Sequence, residues 1–214
     1  MSNKKDWDNA FTAKDLHGLV DGSPSYAGAL SFMRRKYSRD LSGVDVAVTG
    51  IPLDLATTNR PGARFGPRAI RAATPGISWA RPWPWNFNPF ERLAVVDYGD
   101  CEFDPGKPET IVDFIDKHIT TILEAGAASL VLGGDHFVTY PVLKAYARHH
   151  GPLTLVQFDA HSDTWSEKTR SLSHGTMFYH AVKEGLVVDK DSVQIGLRTT
   201  NDEPLGFNIL DARW

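Results

Sequence analysis

Metal-binding types of side chain recur at alternate positions in one short stretch of the sequence. Asp159, His161 and Asp163 directly follow a mainly apolar run at residues 153–158. In extended backbone, alternate side chains point to one face, so these three would converge there. Carboxylate and imidazole ligands without cysteine are typical of Mn, Fe, Co or Zn sites, and argue against a structural thiolate zinc site. The spacing therefore predicts a cation site.

A second segment of this kind precedes it, where the apolar run 130–132 leads into residues 133–136 (Gly-Gly-Asp-His). Taken alone, it favours a tight turn in which Asp135 caps the next helix. Two such segments at the ends of strands favour a metal site. Carboxylates and imidazoles crowded together would repel one another or stay unpaired without a cation.

Strands and helices alternate along the chain, which predicts how these residues are positioned. Predicted strands are 44–51, 93–97, 129–132, 153–158, 192–195 and 207–210, and predicted helices are 25–37, a short one after Gly66, 108–125, 138–148 and 176–184. Alternation without hairpin dipeptides is the pattern of a parallel α/β sheet. In such sheets ligands bind beyond the carboxyl ends of the strands, where His136 and residues 159–163 fall.

Composition excludes several function classes. The 214 residues suit one domain or a large one cut short, and the net charge of −3 gives no reason to expect a nucleic-acid or membrane partner. Cys101 is the single cysteine, so no internal disulfide forms, which fits a reducing compartment. Neither a signal-peptide core nor a membrane-length apolar run is present. We expect a cytoplasmic protein.

Two loops have more than one interpretation. Arg60 and Arg64 could clamp an anion or form a structural loop, and we favour the structural loop. The segment 74–92 is too rich in proline for a regular element. Its tryptophans, Trp79, Trp83 and Trp85, could wall a pocket, but we favour packing or a contact between subunits.

Residues 133–139 (GGDHFVT) and 159–164 (DAHSDT) resemble the two signature motifs of the ureohydrolase family, which contains the arginases and agmatinases. Segments similar to agmatinases are 50–54, 60–67, 85–87, 96–100, 174–178 and 194–198. The resemblance covers residues 44–211 and implies a three-layer α/β/α arginase-like fold with a mainly parallel sheet. Residues 1–43 would be a polar, helical extension and 44–214 the ureohydrolase domain.

The resemblance also implies a site with two Mn²⁺ ions, of which the second is incomplete in this sequence. His136 and Asp163 would bind one ion, His161 the other, and Asp159 would bridge them. Two cations that share a water lower its pKa and supply hydroxide near neutral pH, to attack a guanidinium carbon.

Asp159 and His174 are the residues that the resemblance implies for catalysis. His174 would shuttle a proton or contact substrate. From the residues alone, His174 could equally be a packed side chain at the start of a helix. Asp135 could orient His136, cap the following helix, or do both.

The implied reaction is hydrolysis of agmatine to putrescine and urea, in polyamine metabolism, by a homo-oligomer that binds a small guanidino substrate. Guanidinobutyrate or a related guanidino compound is the alternative substrate. The family's later Asp-x-Asp-x-x-Asp-Pro motif does not occur before Trp214. We therefore expect a domain incomplete at its C-terminus, lacking the last strands and helices. A catalytically impaired fragment or pseudoenzyme is the alternative function.

Overall fold

The computed structural model describes residues 9–18, 24–78, 81–166, 171–199 and 205–210. Its strands are β1 (Val46–Ile51), β2 (Val95–Asp100), β3 (Ala128–Gly133), β4 (Val156–Phe158), β5 (Val193–Ile195) and β6 (Asn208–Leu210). Its helices are α1 (Asn9–Thr12), α2 (Gly66–Ala73), α3 (Ile111–Glu124), α4 (Thr139–His150) and α5 (Met177–Lys183). One helix follows each of β1 to β4, so the predicted alternation is confirmed.

The first sheet has the strand order β2-β1-β3, and both pairings are parallel. Val46 of β1 pairs with Val95 on one side and with Ala128 on the other. The central strand β1 is buried from Ala47 to Ile51. Burial on both faces explains why this strand is a continuous apolar run in the sequence.

Helix α2 begins at Gly66 with Pro67 in its first turn, as predicted from the sequence. Its buried Arg71 donates to Asp97 Oδ2 at 2.7 Å, Asp97 Oδ1 at 2.9 Å and Asp100 Oδ1 at 2.6 Å. Although burial opposes the charge, these hydrogen bonds and ion pairs raise the pKa of Arg71 above its ordinary value. The helix is thereby attached to the end of β2.

The second sheet has the order β4-β5-β6, again with parallel pairings. Helices α4 and α5 pack together around a hydrophobic cluster that includes Tyr140, Leu143, Met177 and Phe178. The Tyr140 hydroxyl donates to the carboxylate of Glu184, which caps the end of α5. This packing holds the segments that carry the candidate site.

The predicted helix over residues 25–37 is wrong. Only Phe32–Arg34 forms a 3₁₀ turn, and the backbone at Met33 and Arg34 has positive φ of 46° and 55°. Phe32 N–H donates to Asp97 Oδ2 and Met33 N–H to Thr74 Oγ1, so tertiary partners replace helical hydrogen bonds.

The proline-rich segment is irregular, as predicted, apart from 3₁₀ turns at Thr74–Ile77 and Pro89–Glu91. Trp85 stacks on Phe87 with ring centroids 5.4 Å apart, whereas Trp83 is 95% exposed. Trp79 lies outside the described residues. No helix among the described ranges has the length and hydropathy needed to cross a membrane.

Candidate metal centre

Two predicted carboxylate ligands lie close to the imidazole nitrogen of a third predicted ligand. His136 Nδ1 lies 2.7 Å from Asp163 Oδ2 and 3.2 Å from Asp159 Oδ2. One ligand atom from each of the three lies within 4.8 Å of the others. This spacing fits the nitrogen and oxygen donors of a single divalent cation.

The turn that carries His136 is held by the residue before it. Asp135 Oδ1 accepts Phe137 N–H at 2.9 Å, and Asp135 Oδ2 accepts Ala56 N–H at 3.1 Å. Burial raises the pKa of the Asp135 carboxyl, and the two backbone hydrogen bonds oppose that rise. Both oxygens therefore accept backbone N–H groups, and the bond from Phe137 is the one that the capping interpretation of Asp135 predicts. The His136 ring also packs edge-on against Phe178, with centroids 5.6 Å apart.

Asp159 presents its two oxygens to two different histidines. Its Oδ2 faces His136, while its Oδ1 lies 3.4 Å from His161 Nδ1 and accepts His161 N–H at 2.9 Å. The His161 side chain is 64% exposed, and it stands outside the trio of His136, Asp159 and Asp163. The predicted residues thus form a chain of contacts, with Asp159 at its centre.

Asp163 adopts a backbone conformation that is uncommon for a residue other than glycine, with φ of 52°. Its carbonyl accepts Phe178 N–H at 3.1 Å, which ties it to the first turn of α5. A left-handed aspartate is tolerated where the surrounding structure determines it. This conformation directs a carboxylate that is only 10% exposed toward His136.

His174 lies near the other predicted residues, in the turn before α5. Its Nε2 atom is buried and has no hydrogen-bond partner among the residues that the structure describes. Thr176 Oγ1 organises this turn, since it accepts Ser173 N–H at 2.9 Å and donates to Ser171 O at 3.1 Å. A buried imidazole nitrogen without a protein partner is available to a ligand.

A cavity of about 400 Å³ joins several of these residues. Its described lining comprises Thr58, His161, Ser162, Asp163, Trp165, His174, Gly175 and Thr199. Its size is that of a pocket for a small molecule. Sequence reasoning did not single out Thr58, Trp165 or Thr199. Only Trp165 offered a signal, since it stands two residues after Asp163. Arg60 and Arg64 are exposed and are not among the lining residues.

Comparison with known proteins identifies the family. The model of the arginase family matches residues 44–213. An agmatinase from Chromobacterium violaceum is 61% identical over 209 residues, which are 97% of this chain and 65% of that protein. This chain also resembles two solved structures.

A crystal structure of a hypothetical agmatinase from Burkholderia thailandensis superposes with a TM-score of 0.92 at 55% identity, over 97% of this chain and 65% of that one. The proclavaminate amidino hydrolase of Streptomyces clavuligerus superposes with a TM-score of 0.78 at 38% identity, over 89% and 65%. The chain thus spans 65% of the length of each of these proteins. It belongs to the arginase family and has the arginase-like α/β fold.

Proposed function

We propose that this chain acts in the metal-dependent hydrolysis of agmatine to putrescine and urea. The observation that carries the proposal is the contact of His136 Nδ1 with the carboxylates of Asp159 and Asp163, at 3.2 and 2.7 Å. The identity of 61% to an agmatinase supports the same chemistry. The name of the similar amidino hydrolase also describes hydrolysis that removes an amidino group.

We assign the metal ligands to His136, Asp159, His161 and Asp163. Two carboxylates beside one imidazole repel each other unless a positive charge lies between them, so these donors fit a divalent cation. Asp159 directs one oxygen to His136 and the other to His161, so this carboxylate would help to hold cations beside both histidines. Bound cations of this kind lower the pKa of water and supply a nucleophile at neutral pH.

We assign His174 to proton transfer. Its Nε2 is buried without a partner among the described residues, and the residue lines the same cavity as Asp163. When the C–N bond of a guanidinium group breaks, the departing amine must take up a proton. The imidazole of His174 takes up a proton that the attacking water loses and delivers it to the amine nitrogen of the departing group.

The charge of the described part of the cavity lining favours agmatine over guanidinobutyrate. Agmatine has a distal ammonium group, whereas guanidinobutyrate has a distal carboxylate that requires a cationic partner. The described lining contains neither lysine nor arginine. Trp165 offers an aromatic ring, which attracts an ammonium group by the cation–π interaction.

Side-by-side measurement of urea release from agmatine, guanidinobutyrate and arginine, with Mn²⁺ added, tests the proposal. We expect the largest kcat/KM for agmatine and loss of turnover in Asp163→Asn. A preference for arginine would contradict the agmatinase assignment. Mn²⁺ binding without urea from any substrate would support the alternative of an impaired fragment or pseudoenzyme.

From the same family resemblance, we propose a cytoplasmic homo-oligomer with an N-terminal extension at 1–43 and the ureohydrolase domain at 44–214. Light scattering on the purified protein tests the oligomer. A monomer at all concentrations contradicts it.

A further inference from the structure

We propose that Gln157 and Gln194 are positioning residues that hold the metal-binding loop, defined as residues 159–163, by its backbone. This inference rests on the proposed metal site. The sequence contains only these two glutamines, one in β4 and one in β5. Both side chains are buried, and Gln194 is 0% exposed.

The two amides bind each other and two successive carbonyls of the loop. Gln194 Nε2 donates to Gln157 Oε1 at 2.6 Å and to Ser162 O at 2.7 Å. Gln157 Nε2 donates to His161 O at 3.2 Å. Both donor hydrogens of the Gln194 amide are thereby used, and its orientation is determined by its partners.

The neighbouring loop bonds come from β5 and from the residues that follow it. Asp159 N–H donates to Ile195 O at 3.0 Å. The Ala160 carbonyl accepts both Arg198 N–H and Thr199 Oγ1 at 3.0 Å. The carbonyls of residues 160, 161 and 162 are therefore all engaged, and the two glutamines supply the bonds for the last two.

The position of these bonds explains why they matter for metal binding. Ser162 is the residue before Asp163, whose backbone is held in the left-handed region with φ of 52°. Without the Gln194 donor, the buried Ser162 carbonyl loses its partner, and the backbone relaxes to recover one. Such a rotation displaces the Asp163 carboxylate, which now lies 2.7 Å from His136 Nδ1. A metal site loosened in this way binds more weakly.

Gln194→Met and Gln157→Met test the proposal, because methionine is an unbranched side chain without the amide donors. Val187→Ala is the matched control for general stability. Val187 is buried in the hydrophobic cluster around α4 and α5 of the same structural unit. Mn²⁺ is titrated into each purified protein at a temperature where circular dichroism shows all variants folded, and free Mn²⁺ is measured by electron paramagnetic resonance.

We expect Gln194→Met to weaken Mn²⁺ binding by about tenfold or more, the size of effect typical of a lost partner behind a metal ligand. Amide hydrogen exchange at residues 160–163 should also become faster in the metal-free variant. Val187→Ala should lower the Tm but leave Mn²⁺ affinity and hydrogen exchange in the loop unchanged. If the glutamines only stabilised the fold, their variants would give this same result.

Wild-type affinity and loop exchange in Gln194→Met would overturn the inference while leaving the proposed metal site intact. If Gln194→Met does not fold, Gln157→Met decides the question, because it removes the bond to the His161 carbonyl. Failure of the wild-type protein to bind Mn²⁺ would overturn the proposed metal site, and with it this inference.

Discussion

The carboxylate of Asp163 combines a short contact to His136 Nδ1, 2.7 Å, with a nearly buried position and a left-handed backbone. A charged group in such surroundings needs a compensating partner. Both the cation and the imidazole can provide that partner. Replacement of this side chain is therefore expected to disturb the proposed site.

Replacing Asp163 by Asn should weaken Mn²⁺ binding by more than about 100-fold, the upper range for loss of a partner behind a ligand. The amide keeps the shape but removes the negative charge. Asp113→Asn is the matched control, because Asp113 is an exposed aspartate in α3. Equal Mn²⁺ affinity of the two variants by calorimetry would show that Asp163 is not a ligand.

Tyr140 should make stability depend on alkaline pH. Its hydroxyl donates to Glu184 Oε1 at 2.7 Å and to Oε2 at 2.9 Å. Burial and the Glu184 carboxylate raise the pKa of Tyr140 above its ordinary value of 10.0. A raised pKa means that this stabilisation is fully present below pH 10 and is lost as pH rises through the folded-state pKa.

Urea unfolding at pH 8 and at pH 10.5 measures this effect. We expect Tyr140→Phe to lower the free energy of unfolding at pH 8 by about 1–2 kcal/mol. The difference in the free energy of unfolding between Tyr140→Phe and wild type should be smaller at pH 10.5 than at pH 8. A constant difference across this range would contradict the role of the Tyr140 hydroxyl.

At the scale of elements, apolar patterns predicted the central strand and the long helix well, and tertiary hydrogen bonding explains where they failed. The strand predicted at 44–51 is Val46–Ile51, and the helix predicted at 108–125 is Ile111–Glu124. Residues 25–37 are not helical, because side chains distant in sequence bind their backbone. No periodicity within that segment reveals such partners.

The candidate site, like the fold, could be predicted only in part from the sequence. Because ligands lie beyond strand ends, we expected His136, Asp159 and Asp163 to lie close together, and the structure brings them together. The roles of Gln157 and Gln194 could not be predicted, because a polar residue within a strand is ordinarily taken to face solvent. Their pairing depends on the register in which Gln157 lies beside Gln194. That register is known only once the strands are in place.

The segment after β3 should tolerate no added side chain at Gly134. A Cβ there would lie 1.8 Å from the Leu53 carbonyl oxygen and 2.6 Å from the Leu53 nitrogen. Backbone atoms cannot move aside as a flexible side chain can. We expect Gly134→Ala to lower the free energy of unfolding by about 1–3 kcal/mol.

Gly76→Ala is the control, because nothing lies within 4 Å of the Cβ position at Gly76. Its stability should differ from wild type by less than about 0.5 kcal/mol. Thermal unfolding of both variants provides the comparison. A Gly134→Ala protein as stable as Gly76→Ala would contradict the close approach of Leu53.

At the scale of the whole molecule, one face of the second sheet exposes apolar side chains. Phe158 of β4 pairs with Ile195 of β5, and Ile195 pairs with Leu210 of β6. The three side chains therefore lie on the same face of the sheet. Phe158 is 77% exposed and Leu210 is 54% exposed. Val156 lies on the same face of β4 and is 57% exposed. Exposed apolar surface of this kind promotes association.

We therefore expect the purified chain to bind the dye ANS and to associate as its concentration rises. Val156→Thr should reduce both effects while keeping a β-branched side chain in the strand. Ile77→Thr is the control, because Ile77 is similarly exposed in a 3₁₀ turn outside this sheet. Equal light scattering by both variants would show that the sheet face does not drive association.

During protein synthesis, the metal-binding loop is made before most of the donors that bind its carbonyls. The loop ends at Asp163. Gln157 precedes it, but the carbonyls of residues 160 and 162 are bound by Gln194, Arg198 and Thr199, which the ribosome adds later. At roughly 5–20 residues per second, the roughly three dozen intervening residues take a few seconds to synthesise. The proposed ligand residues of the loop therefore leave the ribosomal tunnel before most of the groups that arrange them, and we expect metal loading to follow translation of β5.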